Sequence, residues 1–182
     1  MRRRGNSFKA NKHPQVTPTR LIVTALLESN ERLLLAQLAA GPFAGFWLLP
    51  SATVETGTVE GAARQMVRDR TGHEMRDPRL LTVVEEGRVG VRALRFAFTS
   101  GVGERDPGHR DLELARTGWF SREAAALVLT ERDVVPTLGV LSLIRAWADG
   151  ITPEPLETLV EDVLCPCGSG YGYLGCCGWD AK

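Results

Sequence analysis

Four cysteines stand within thirteen residues near the end of the chain, Cys165, Cys167, Cys176 and Cys177 in the string CPCGSGYGYLGCC, and the 164 positions before them hold none. A disulfide-stapled secreted domain spreads its bridges through the fold. A clustered quartet points instead to a metal site in a reducing, cytoplasmic setting. Zn²⁺ takes four soft ligands in a tetrahedron, and two short cysteine pairs can wrap one ion when the backbone between them turns tightly. Gly168, Gly170, Gly172 and Gly175 supply that freedom here. Other chemistry has little footing. His13, His73 and His109 fall at no ligand spacing, and no GxSxG, phosphate-loop or strand-borne GxGxxG pattern is present.

The elements that must carry these residues follow from the apolar pattern. Residues 1–18, basic and polar with Pro14 and Pro18, read as a flexible tail. Arg20 to Glu28 and Arg32 to Ala39 flank the turn Ser29-Asn30-Glu31 and read as a hairpin. A short apolar run, Phe46 to Leu49, stops at Pro50. From Val59 the apolar positions Val59, Ala62, Ala63, Met66 and Val67 follow the i, i+3, i+4, i+7, i+8 series of an amphipathic helix that ends before Gly72. Leu80 to Glu85 and Val91 to Thr99 read as strands, and another strand runs into Trp119-Phe120, where Ser121 caps a short helix. Thr130 to Ala148 has a helical period with Pro136 in its first turns. Ile151 to Pro155 reads as a linker and Leu156 to Leu164 as a short helix leading to the cysteines. Strands, a central helix, more strands and a packed terminal helix make an α+β domain.

Two stretches resemble known families. CPCGSG followed by an aromatic stretch and CC resembles the SEC-C zinc knuckle found at the C-terminus of the bacterial preprotein translocase ATPase and on unrelated proteins. The resemblance implies Zn²⁺ on the four cysteines and a module that docks a protein partner. Lysines usual between the cysteine pairs are replaced by Tyr171, Gly172, Tyr173, Leu174 and Gly175, which favours an aromatic docking surface. The segment GFWLLPSATVETGTVEGAARQMVRDRTG resembles a Nudix box and its approach, and the later LELARTGWFSREAA resembles the strand and helix that follow in that family. This second resemblance spans roughly residues 20 to 146. It implies an α/β/α sandwich around a mixed sheet, occupying residues 19–149, with a linker at 150–164 and the zinc knuckle at 165–182. Its activity in the family is hydrolysis of a nucleoside diphosphate linked to another group, with Mg²⁺ or Mn²⁺ held by glutamates of the box helix.

That chemistry needs several carboxylate oxygens around hard cations, plus a carboxylate that takes a proton from water. Aligned on the family pattern, Ser51 and Ala52 stand where two glycines are expected and Thr58 where the first box glutamate is expected. Gln65 and Met66 stand at the Arg-Glu pair, and Asp69 and Arg70 at the Glu-Glu pair, so only Asp69 keeps a carboxylate. A competing register, with Arg64-Gln65 at the Arg-Glu pair, restores no glutamate. A guanidinium at position 70 repels Mg²⁺ and offers a planar fork to phosphate oxygens. The expected reading is a domain that binds a nucleotide-like or phosphorylated ligand through Arg70, with Arg64 and Gln65, and hydrolyses it little or not at all. Two alternatives stand beside it. In one, Arg70 is solvated beside Arg64 and Arg68 and the pocket is vestigial. In the other, the chain is a working pyrophosphatase that recruits Asp69, Glu60 and Glu55, with carboxylates from outside the helix such as Glu85, Glu86, Asp111 or Glu113.

Charge divides the chain in the same places. Basic and acidic side chains balance at 22 each, but residues 1–20 hold six basic and no acidic ones, while residues 151–182 hold Lys182 against five acids. The composition excludes a uniformly basic nucleic-acid protein. It leaves the basic tail as an expected contact for an acidic partner or RNA. No apolar run approaches the roughly 20 residues that span a bilayer, and the arginines at the start precede no apolar stretch, so neither a membrane partner nor secretion is expected.

Overall fold

The computed structural model describes residues 19–88, 91–109, 111, 113–131, 133–135, 137–152 and 157–159. The expected basic tail and the four cysteines of the expected knuckle lie outside them.

The first strands form the expected hairpin: β1 (Thr19–Ser29) and β2 (Arg32–Leu38) meet at Asn30 and Glu31, with φ of 50° and 59°. Positive φ at both central residues is the geometry of a type I′ turn, whose twist matches that of the strands it joins. Two short strands follow, β3 (Trp47–Leu48) against β2 and β4 (Ser51–Thr53) against β1. Helix α1 (Val59–Thr71) starts where Thr58 accepts the Gly61 N–H and stops at Gly72, whose left-handed φ of 70° lets its own N–H return to the Arg68 carbonyl.

Strands β5 (His73–Arg88) and β6 (Val91–Arg105) are both longer than the apolar pattern suggests. The extra length of β5 is polar and irregular. Its pairing with β6 shifts register at three points, one between Arg76 and Arg79, where Asp77 has a positive φ of 49° and Pro78 cannot donate to the ladder. Next come β7 (Leu114–Phe120), the edge strand on β2, and α2 (Arg122–Thr130), capped by Ser121 as expected. The helix expected from Thr130 is instead divided. Thr130 ends α2, and α3 (Leu138–Asp149) begins only after residues 131–137, where Val134 bridges to Trp47 in extended conformation. The residue before a proline is pushed out of the helical region, so Val135-Pro136 breaks a period that hydrophobicity alone continues. The short helix expected from Leu156 is not what residues 157–159 form: Glu157–Leu159 is a strand, β8, parallel to β5.

Strand order is β3-β2-β1-β6-β5-β8, with β1 and β6 parallel from Thr19↔Arg92 to Glu28↔Gly101. Alternation along the strands builds two cores. Val23, Ala25 and Leu27 of β1, Leu34 of β2 and Phe98 of β6 meet Ala63, Met66 and Val67 of α1. The neighbours on the opposite face, Leu26, Leu33, Leu35 and Ala97, meet Ala125 of α2 and Val140, Leu143, Ile144 and Trp147 of α3. The result is the expected α/β/α sandwich on a mixed sheet. Among the described residues no helix is long and apolar enough to cross a membrane.

Candidate ligand site on the first helix

The 50–72 segment is held from both ends. Ser51 and Ala52 pair with Thr24 and Val23 of β1, and the Val54 N–H donates to the Leu21 carbonyl at 2.8 Å, so the loop to α1 leaves from the start of the central strand. Met66 is 4% exposed and packed in the α1 core. The side chains expected to do chemistry therefore lie on the remaining surface of the helix.

Most of them are engaged with neighbours one turn away. The Gln65 amide donates to Asp69 Oδ1 at 2.7 Å. Arg64 donates to Glu60 Oε1 at 3.1 Å and reaches across to the Met75 carbonyl at 3.2 Å. These are the i, i+4 pairs that a helix surface favours. Glu55 is exposed in the loop before α1. Glu55, Glu60 and Asp69 are thus not gathered around one point, and among the described residues no group of three or more His, Cys, Asp and Glu side chains is placed to hold a metal ion. This donor set does not fit Mg²⁺ or Mn²⁺, which need several converging oxygens.

Arg70 is the exception to this local pairing. Its guanidinium, 29% exposed, contacts Asp111 Oδ2 at 3.3 Å and also Glu113 Oε2, from the segment that enters β7. Burial by itself lowers the Arg70 pKa, but the hydrogen bonds and negative charges of Glu113 and Asp111 outweigh it and hold the guanidinium above its ordinary value. Asp111 is fixed in turn: its side chain is 10% exposed and Oδ1 accepts the Glu113 N–H at 2.8 Å. Glu113 is 69% exposed. Its main chain is nevertheless anchored, because its carbonyl accepts the Ala39 N–H at 2.9 Å.

The same segment docks on the end of α1. The Asp106 N–H donates to the Gly72 carbonyl at 2.8 Å, and His109 lies so close that a Cβ on Gly72 would fall 2.6 Å from the His109 Cβ. His73 and His109 each keep one buried ring nitrogen, Nδ1 and Nε2 respectively, without a partner. Burial, then the positive charge of Arg105 and the neighbouring His109, push the His73 pKa down.

The outside carboxylates are divided between two regions. Asp111 and Glu113 do reach the box helix, but as partners of an arginine. Glu85 pairs with Arg92 at 2.7 Å, and Glu86 lies in a cluster that composition and motif reading missed. There Arg95, 3% exposed, donates to both oxygens of Glu86 at 2.7 and 3.1 Å, to Thr24 Oγ1 at 2.7 Å and to Ser51 Oγ at 3.4 Å. The available signal was an arginine at an alternating position between Ala93 and Ala97, where the strand pattern demands an inward side chain. Ser51, at an expected glycine position, serves this network and donates to the Leu49 carbonyl at 2.9 Å.

A mixed sheet between α1 and α2/α3, with strand, loop and helix over residues 50–72, is the fold of the Nudix hydrolases. A NUDIX hydrolase from Nitrosomonas europaea superposes with a TM-score of 0.64 at 22% identity, covering 76% of this chain and 93% of that one. The NUDIX domain of Shewanella oneidensis NrtR, solved with ADP ribose, gives 0.57 at 19% identity over 77% and 93%. Among curated proteins, the 8-oxo-dGDP phosphatase NUDT18 of Homo sapiens is 26% identical over 146 residues, 80% of this chain, and its Mus musculus counterpart is 26% identical over 143 residues. The chain spans only 45% and 44% of the length of these two relatives. No family model matches the chain.

Proposed function

We propose that the domain binds a nucleotide-like or phosphorylated ligand beside α1 and hydrolyses it little or not at all. The observation that carries this reading is Arg70: it stands at the last acidic position of the box pattern, partly exposed and fixed by two carboxylates, where an anion's oxygens can meet its planar fork. Arg64 and Gln65, the other expected donors, lie on other faces of the helix and are engaged by Glu60, the Met75 carbonyl and Asp69, so the reading rests on Arg70. The NrtR domain, solved with ADP ribose, is a case of this fold holding a nucleotide derivative.

The competing reading is an active pyrophosphatase, favoured by the name of the curated relatives, 8-oxo-dGDP phosphatase. The deciding assay offers a panel of nucleoside diphosphate derivatives, 8-oxo-dGDP and ADP-ribose included, with Mg²⁺ and with Mn²⁺, to the wild type and to Asp69→Ala. Binding without turnover supports the proposal; turnover that Asp69→Ala abolishes overturns it.

The four cysteines complete the proposal. Cys165, Cys167, Cys176 and Cys177 hold one Zn²⁺ as a knuckle of the SEC-C type that docks a protein partner, and the basic residues before β1 offer a second contact for an acidic partner or RNA. Metal analysis of the full chain is expected to find about one zinc, lost when Cys176 and Cys177 are replaced by serine.

A further inference from the structure

Arg70 is held by two carboxylates that differ in every property governing release. Asp111 is nearly buried and its second oxygen is engaged by a backbone N–H at 2.8 Å. Glu113 exposes 69% of its side chain, and Arg70 is the one side chain among the described residues that its carboxylate meets. Together the two carboxylates place two negative charges on one positive charge, so the unliganded site is net negative and repels the class of anion that Arg70 is suited to bind. An exposed ion pair of this kind is weak, because water solvates the freed carboxylate almost as well as the guanidinium does.

We propose that Glu113 is a built-in, exchangeable competitor at Arg70, whereas Asp111 is its permanent anchor. A diphosphate oxygen takes the place of the Glu113 carboxylate, which swings into water, while Asp111 keeps the guanidinium aimed. Both carboxylates meet the same nitrogen, Nη1, so an anion that takes Nη1 must displace an internal carboxylate, and the site selects there against singly charged or weakly held anions. This inference rests on the reading of Arg70 as the anion-binding group.

The test is calorimetric titration of inorganic pyrophosphate into the full chain in the presence of a chelator that removes divalent metals. Glu113→Gln is expected to tighten pyrophosphate about fivefold, the scale of an exposed ion pair, and Arg70→Met to abolish binding in either background. Glu131→Gln, an exposed carboxylate at the end of α2, controls for loss of charge at a distance and is expected to leave affinity unchanged. Arg70-dependent binding that Glu113→Gln leaves unchanged or weakens overturns the competitor and spares the reading of Arg70. Binding that survives Arg70→Met, or none to the wild type and to Glu113→Gln alike, overturns both. Glu113→Ala, with its thermal midpoint measured alongside, guards against an effect of the glutamine itself.

Discussion

Two arginines on opposite faces of one sheet meet carboxylates and do different work. Arg95, under α3, is 3% exposed and has acceptors for each of its nitrogens in Glu86, Thr24 and Ser51. Arg70, at the end of α1, is ten times as exposed at 29% and contacts one nearly buried carboxylate, Asp111, and one at the surface, Glu113. The first arrangement is saturated and closed: a Cβ on Gly139 would fall 2.0 Å from Glu86 Oε1, so α3 seals it. The second is open and over-supplied with negative charge. Burial and the number of fixed acceptors, rather than residue type, separate an arginine that ties three strands together beneath a helix from one placed to receive a ligand.

The contrast is sharpest in stability. Glu86→Gln leaves the buried Arg95 charge without its counterion and is expected to cost about 3 to 5 kcal/mol, read from the urea midpoint. Replacing both partners together, Arg95→Met with Glu86→Leu, is expected to recover most of that loss. If the single substitution is nearly neutral, the pair is not the fastening described. Arg70→Met, by comparison, is expected to cost less, about 1 to 2 kcal/mol, because Glu113 is solvated once released and the nearly buried Asp111 keeps its bond from the Glu113 N–H. A loss as large as that of Glu86→Gln would make Arg70 a structural residue and erase the distinction.

The smallest expected effect is on pH dependence, and it belongs to the side of Arg70. His73 is buried beside Trp119, with Arg105 and His109 nearby, and its pKa is depressed in the folded state, first by burial. The unfolded chain then binds a proton that the folded one refuses. The stability contributed by neutral His73 is complete above its ordinary value of 6.5 and is lost as the pH falls from there through the lower folded value. His73→Phe, which keeps a ring against Trp119, is expected to flatten the thermal midpoint between pH 7 and 5. An unaltered slope would assign the acid response elsewhere.

Much of the fold was legible in the sequence because local and global preferences agree. The turn at Asn30-Glu31, the Thr58 and Gly72 ends of α1 and the Ser121 cap of α2 are local chemistry that tertiary structure leaves intact. Where long-range pairing decides, the pattern misleads. The first half of β5 is polar and bulged, yet β6 holds it as strand, and α3 starts eight residues later than its apolar period because the backbone ahead of Pro136 is committed to bridging Trp47. At the site, the place of Arg70 in the last turn of α1 was readable from the helix's apolar period and its stop at Gly72. That Asp111 and Glu113 would neutralise it was not, since their approach depends on how the chain returns to Gly72 before β7.

The parallel pairing of β1 with β6 has a consequence for how the molecule comes into being. Thr19 meets Arg92 and Glu28 meets Gly101, so the two central strands can join only after the whole stretch between them, α1 included, has been looped out. Closing such a loop costs chain entropy before any contact repays it, and a fold dominated by pairings of this range assembles slowly. Both arginine clusters also draw partners from far along the chain, Arg95 from Thr24 71 residues away and Arg70 from Glu113 43 residues away. Neither can exist in a half-made domain. A chain emerging from synthesis therefore has no ligand site at all until the strand that completes its centre has been delivered, and any truncation before β6 removes the fold and the site together.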